Sequence, residues 1–138
     1  MGIPDFPPRY DDDIVRPFWD AVAQGELRLP ACSVCGAWQW YPHGSIPCHP
    51  DAHLDWRPVA STGAVFTHTT VHRSLLPDGK QADVPFLTAL IELDGVVGPR
   101  LVTALVNMEG RKPAIGMRVR LAPVQRSGFV LPAFEPDL

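Results

Sequence analysis

The chain has 138 residues, 15 acidic against 12 basic side chains, and a formal net charge of −3. That length holds one ordinary domain or a small domain with an appended module, and the acidic balance opposes a surface that tracks nucleic-acid phosphates. With 46% apolar and 20% charged residues the composition is globular, and no apolar run is long enough to span a bilayer.

The first ten residues are Pro-rich and read as an extended arm. The opening "MGIPDFPPRYDDD" has neither the basic nor the apolar region of a secretory signal, so a cytoplasmic setting is expected. Asp11 to Asp13 offer N-cap side chains. Val15, Phe18, Trp19 and Val22 then recur at helical spacing, with Pro17 suited to a first turn and Gly25 to a C-terminal stop, which predicts a helix over about 13–24. "ELRLPAC" follows as a short strand.

"ACSVCGAWQWYPHGSIPCHPDAHLDW", residues 31–56, contains all three cysteines of the chain. Cys32-x-x-Cys35-Gly36 has the form of a zinc knuckle: two intervening residues let both sulfurs face one ion, and glycine tolerates the positive φ of the turn. Cys48 returns after a hairpin-length excursion. A closed site needs a fourth ligand. Asp51 has the spacing of a ribbon, His53 is the better ligand type for a structural site, and His49 is a further alternative. A knuckle without metal, held by Trp38, Trp40 and Tyr41, is the competing reading; a Cys32–Cys35 disulfide suits a reducing compartment poorly.

Beyond Asp55 the pattern alternates. "WRPVASTGAVFTHTTVHR", "VPFLTALIEL", "PRLVTALVNM", "MRVRLAPV" and "GFVLPAFEP" read as five strands, with "SLLPDGKQAD" as a loop. The expected fold is therefore mainly β: an N-terminal helix and rubredoxin-like zinc ribbon, followed by a five-stranded antiparallel OB-fold barrel. The parts are 1–30 (arm and helix), 31–56 (knuckle) and 57–138 (barrel). No P-loop, GxSxG or GxGxxG is present, and the cysteines sit where metal ligands belong, so the residues offer no catalytic set. OB barrels often bind single strands, which makes nucleic-acid binding the alternative function; Arg118, Arg120 and Arg126 form only a modest basic cluster.

The order of "PFWDAVAQGELRLPACSVCG", a knuckle, and then "FTHTTVHR", "GPRLVTALV" and "IGMRVRLAPV" resembles the DUF35 family, the acyl-CoA-associated zinc-ribbon and OB-fold proteins. The likeness runs from about Arg16 to Phe134 and departs from the family's second Cys-x-x-Cys at Asp51. It implies structural zinc on Cys32, Cys35, Cys48 and Asp51, or His53 or His49 in its place. It also implies a non-catalytic subunit of a thiolase-superfamily enzyme, a thiolase or a retro-aldolase of steroid side-chain degradation, in a hetero-oligomer, possibly two plus two. Acyl-CoA would then be bound only together with that enzyme, whose channel the subunit helps to form. Phe18, Trp19, Val22, Trp38, Trp40 and Tyr41 are the expected docking residues, aromatic anchors being the usual centres of such interfaces.

Overall fold

The computed structural model describes residues 12–73, 84–126 and 128–138. The expected N-terminal arm and the loop at 74–83 lie outside the described residues. Among the described residues one helix, α1 (Arg16–Ala23), is followed by nine strands: β1 (Leu27–Cys32), β2 (Leu54–Val59), β3 (Thr62–Val71), β4 (Phe86–Leu93), β5 (Arg100–Leu105), β6 (Arg118–Leu121), β7 (Val124–Arg126), β8 (Phe129–Leu131) and β9 (Phe134–Pro136). Among the described residues no helix is long and apolar enough to cross a membrane.

The helix begins later than its acidic residues suggest. Asp12 accepts from the backbone of Ile14 (3.0 Å), Val15 and Arg16, closing a turn ahead of the helix, and Val15 stands at the N-cap. Pro17 lies in the first turn, where its missing N–H costs nothing. The end is as expected: Gly25 takes φ +79°, Glu26 N–H donates to Ala21 C=O and Gly25 N–H to Val22 C=O, a Schellman stop.

β1 and β2 form a two-stranded antiparallel sheet, with Leu27 opposite Val59 and Cys32 opposite Leu54. The run from Trp56 to Val71, read as one strand, is thus two. Its first part belongs to the ribbon, and the barrel starts at Thr62. The barrel is closed in the order β3-β4-β5-β9-β6. All of its pairings are antiparallel except β5 with β9, which meet in parallel at Leu105 and Phe134, so the expected all-antiparallel barrel needs that correction. "GFVLPAFEP" also divides: β8 makes a hairpin with β7, and only β9 enters the barrel.

Phe18 and Val22 of α1, Leu27 and Leu29 of β1, and Val65, Ile91, Val119 and Phe134 of the barrel belong to one continuous buried cluster. A two-stranded sheet is marginal alone; here the apolar face of β1 is shared with helix and barrel. At Phe66 the β3–β4 register shifts by one residue, a bulge. Phe66 is left largely exposed and carries the Arg100 guanidinium 3.7 Å from its ring centre, while Arg100 also bonds Glu92 at 3.1 Å.

The β3–β6 seam is tied on its outside by Asp94, which receives two bonds from Arg118 (2.9 and 2.5 Å) and one from the Thr62 hydroxyl (2.6 Å). The Arg118 guanidinium, then the hydroxyl, hold the Asp94 carboxyl down at about 2, against an ordinary value of 3.8. A depressed carboxyl stabilises the fold above its unfolded pKa and loses that contribution as pH falls through its folded one. The stability difference between wild type and Asp94→Asn, from denaturant titrations, is therefore expected to be constant above about pH 5 and to shrink between pH 4 and pH 2. A difference independent of pH would refute this.

Candidate metal centre and apolar groove

The knuckle is built as the sequence suggests. Gly36 takes φ +76°, its N–H donates to Cys32 C=O (2.9 Å), and Cys32 N–H donates to Ala37 C=O (2.8 Å). Ala31 bridges to Trp38 and Gln39 N–H donates to Pro30 C=O, so the chain leaving the knuckle runs back along β1. Ile46, 3% exposed, anchors the second loop. Ligand atoms of Cys32, Cys35, Cys48 and His49 then lie within 4.8 Å of one another.

Two edges of this cluster test whether zinc fits. Cys35 Sγ and Cys48 Sγ are 3.6 Å apart, and Cys32 Sγ and His49 Nδ1 are 3.5 Å apart. A tetrahedron with Zn–S bonds of about 2.3 Å and a Zn–N bond of about 2.05 Å has edges of about 3.8 Å and 3.6 Å respectively. The residues fit the ion. The thiols are also unlike one another. Hydrogen bonding from the backbone of Cys35, joined by that of Val34, draws Cys32 down to about 6 against the opposing effect of burial. Loss of water around the sulfur, and then the neighbouring Cys35 and Cys32 sulfurs, push Cys48 up to about 11. A cation relieves that crowding of negative charge.

The fourth member of the cluster is His49, not Asp51. His49-Pro50-Asp51-Ala52 is a tight turn in which Ala52 N–H donates to His49 C=O (2.9 Å), with Pro50 at the position where its fixed φ suits the turn. His49 stays at the base of the turn beside Cys48, while Asp51 stands exposed at its tip and supplies no atom to the cluster. His53 is exposed as well. It is held to the knuckle through its backbone, which exchanges bonds with Ser33 N–H and Oγ (both 3.1 Å).

The six expected docking residues separate. Phe18 (4% exposed) and Val22 (0%) lie in the core, where they join the helix to β1 and the barrel, and Phe18 also borders the groove described below. Trp19, Trp38 and Trp40 are half-buried, and Tyr41 is 53% exposed. Phe18 contacts Trp19 edge-on and Trp40 obliquely, and Trp40 contacts Tyr41, with ring centres 5.1, 5.2 and 4.7 Å apart. This aromatic row lines one side of a groove of about 230 Å³, whose other side is Leu101 and Val102 of β5 with Pro132. The indole N–H of Trp40 is buried without an acceptor. The barrel wall of the groove was not foreseen from the sequence. Its only signal was Val102, an apolar residue on the outward parity of β5 that is 51% exposed.

Known proteins account for both halves of the chain. A family model described as the ChsH2 rubredoxin-like zinc ribbon domain matches residues 19–45, and one described as the ChsH2 C-terminal OB-fold domain matches 56–123. The chain is 35% identical over 124 residues to a probable enoyl-CoA hydratase alpha subunit of Thermomonospora curvata, covering 86% of this chain and 36% of that protein. It is 31% identical over 129 residues to the 3-oxo-4,17-pregnadiene-20-carboxyl-CoA hydratase alpha subunit of Mycobacterium tuberculosis, covering 87% and 37%. The chain thus spans just over a third of the length of these curated relatives. Among solved structures, a chain of the Ltp2-ChsH2(DUF35) aldolase aligns at a TM-score of 0.79 and 28% identity, over 96% of this chain and 100% of that one. A DUF35 protein of unknown function from Sulfolobus solfataricus shares the fold at a TM-score of 0.59 and 14% identity, over 94% and 89%. Ribbon, barrel and their joint arrangement all being matched in this way, the chain belongs to the DUF35 family.

Proposed function

We propose that this protein is the non-catalytic DUF35 subunit of a cytoplasmic acyl-CoA enzyme complex, docking on a thiolase-fold aldolase or thiolase and completing the wall of its acyl-CoA channel. The observation that carries the reading is the alignment, along nearly the whole of both chains, with the DUF35 chain of an aldolase complex. The names of the two curated relatives, both subunits that handle CoA thioesters, support the same substrate class.

The chemistry of the chain agrees. Cys32 and Cys48 in the ribbon and the partners Asp94, Arg118 and Glu135 on the barrel are displaced from their ordinary values. The former belong to a cluster that fits a structural ion, which when bound supplies rigidity to the ribbon. The latter are ion pairs. Arg118 is taken by Asp94, and Arg120 by Glu135 (2.9 Å), so two members of the modest basic cluster are neutralised locally and a phosphate-tracking groove is disfavoured.

Docking is assigned to the groove between the aromatic row and β5, with Tyr41 as its accessible anchor. A partner covering the thioester channel would exclude water from the reacting carbonyl, which a separate small subunit can do without contributing a base or nucleophile. The test is co-purification of the tagged chain from its native cells, with metal analysis of the same sample. Retention of a stoichiometric thiolase-fold enzyme is expected, and bound nucleic acid without an enzyme would overturn the reading. Tyr41→Asp is expected to weaken that complex about 30-fold or more, the effect of losing an anchor worth about 2 kcal/mol, with zinc content and circular dichroism unchanged. Unchanged affinity would move the interface elsewhere.

A further inference from the structure

The three thiols of the ribbon differ in access. Cys32 is fully buried at the end of β1, whereas Cys35 and Cys48 are both exposed and their sulfurs are each other's neighbours at 3.6 Å. A solute reaching the cluster from solvent meets that pair first. The ligand set also has only three sulfurs, the fourth member being His49. Removing the exposed pair leaves Cys32 and His49, and two ligands do not hold a structural zinc, which is bound by four.

We propose that the ribbon is a reversible thiol switch, in which a hydroperoxide converts Cys35 and Cys48 to a disulfide and expels the metal. This rests on the reading that the cluster holds zinc. In the first step a thiolate of the pair attacks the peroxide; its O–O bond breaks, one oxygen stays on sulfur as a sulfenic acid, and the other leaves as hydroxide, or as an alkoxide from an organic hydroperoxide, and is protonated to water or the alcohol. In the second, the neighbouring thiolate attacks that sulfur, the S–S bond forms, and the second oxygen leaves as water. Two thiolates supply the two electrons that reduce one peroxide, two protons are taken up, and Zn²⁺ departs. A small-molecule dithiol reverses the change by taking over the disulfide through exchange. The sulfurs must close from 3.6 Å to about 2.05 Å, a movement within the reach of two exposed loop side chains.

The position of the pair gives the switch a consequence. The segment between Cys35 and Cys48 carries Trp38, Trp40 and Tyr41, and Gln39 within it bonds Ala37 C=O at 3.1 Å and approaches Cys48 Sγ at 4.0 Å. A change of ligation on the two flanking cysteines therefore acts on the aromatic side of the groove. Cys32 and His49, on the sheltered side, stay in place to receive the ion again.

The experiment uses the full chain as purified, with its zinc content measured first. Hydrogen peroxide is added in steps in the presence of a chromogenic zinc chelator, and disulfides are mapped by mass spectrometry. About one zinc released per peroxide consumed is expected, with loss of two thiols, a Cys35–Cys48 linkage, Cys32 still open to alkylation after denaturation, and full recovery with dithiothreitol and zinc. Zinc retained after several equivalents, a linkage involving Cys32, or oxidation to sulfinic acid without a disulfide would each overturn the switch while leaving the metal centre standing. A chain that carries no zinc before peroxide is added would instead overturn the metal reading, and the switch with it.

Discussion

Stripping the ribbon with a strong chelator is expected to lower the stability of the whole chain by several kcal/mol. The binding energy of a structural zinc is folding energy, about 10 kcal/mol or more in isolated zinc-finger peptides. The ribbon here shares Leu27 and Leu29 with the core of α1 and the barrel, so the loss spreads beyond the knuckle. At about 2–4 °C per kcal/mol for a chain of this size, the melting temperature is expected to fall by more than about 10 °C, and to return with added zinc. Substitution separates the ligands. His49→Ala is expected to reproduce most of the loss and to leave less than one zinc per chain. Asp51→Ala and His53→Ala, exposed and outside the cluster, are expected to stay within about 0.5 kcal/mol of wild type with full zinc. If Asp51→Ala releases zinc and His49→Ala does not, the turn at Pro50 presents the wrong residue and the assignment is refuted.

The second large effect belongs to the barrel. Gly63 is opposite Leu93 on β4 and Val119 on β6, at the point where β3 is held on both edges. A Cβ added there would fall on the carbonyl oxygen of Glu92 and lie 3.1 Å from Leu93 Cα. Backbone cannot rotate away as a side chain can, so one seam of the barrel must open. Gly63→Ala is expected to cost about 3 kcal/mol or more, beyond the usual cost of overpacking a core. Gly95→Ala provides the comparison. It has open space around the new Cβ and only a positive φ of +76° to strain it, a cost of about 1 kcal/mol. Equal denaturation midpoints for the two variants would show that the β3 seams are looser than described.

What could be read from the sequence was what local chemistry decides. Pro17 and Gly25 bracket α1 because a missing N–H and a left-handed φ act on their own residues. The same holds for Cys32-x-x-Cys35-Gly36, a turn closed within five residues. The errors arise where partners distant in sequence decide. Val59 to Thr62 carries no Gly or Pro, so β2 and β3 look like one strand until β1 claims the first and β4 and β6 the second. The parallel meeting of Leu105 with Phe134 leaves no trace in alternation. Helical spacing correctly placed Phe18, Trp19 and Val22 on one face, but spacing does not say what covers a face: β1 and the barrel cover Phe18 and Val22, and Tyr41 is left outside. His49 was weighed and placed behind Asp51 because ligand spacing was counted along the chain, whereas the turn at Pro50 reverses it.

The two prolines of the ribbon sheet bear on how this surface can be recognised. Pro30 is opposite Trp56 and Pro58 opposite Arg28, two residues apart and so of the same pair type. Pro30 C=O bonds Gln39, which shows that residues of this type direct their backbone groups away from the partner strand. On β2 those groups face an edge with no further strand among the described residues, and there Pro58 deletes a donor while Asp55 and Arg57, paired at 2.9 Å, place charges alongside. An edge so interrupted is a poor template for an incoming β-strand. Recognition by backbone ladder is thereby disfavoured at the ribbon. The edge is thus guarded against the indiscriminate strand addition that leads to aggregation.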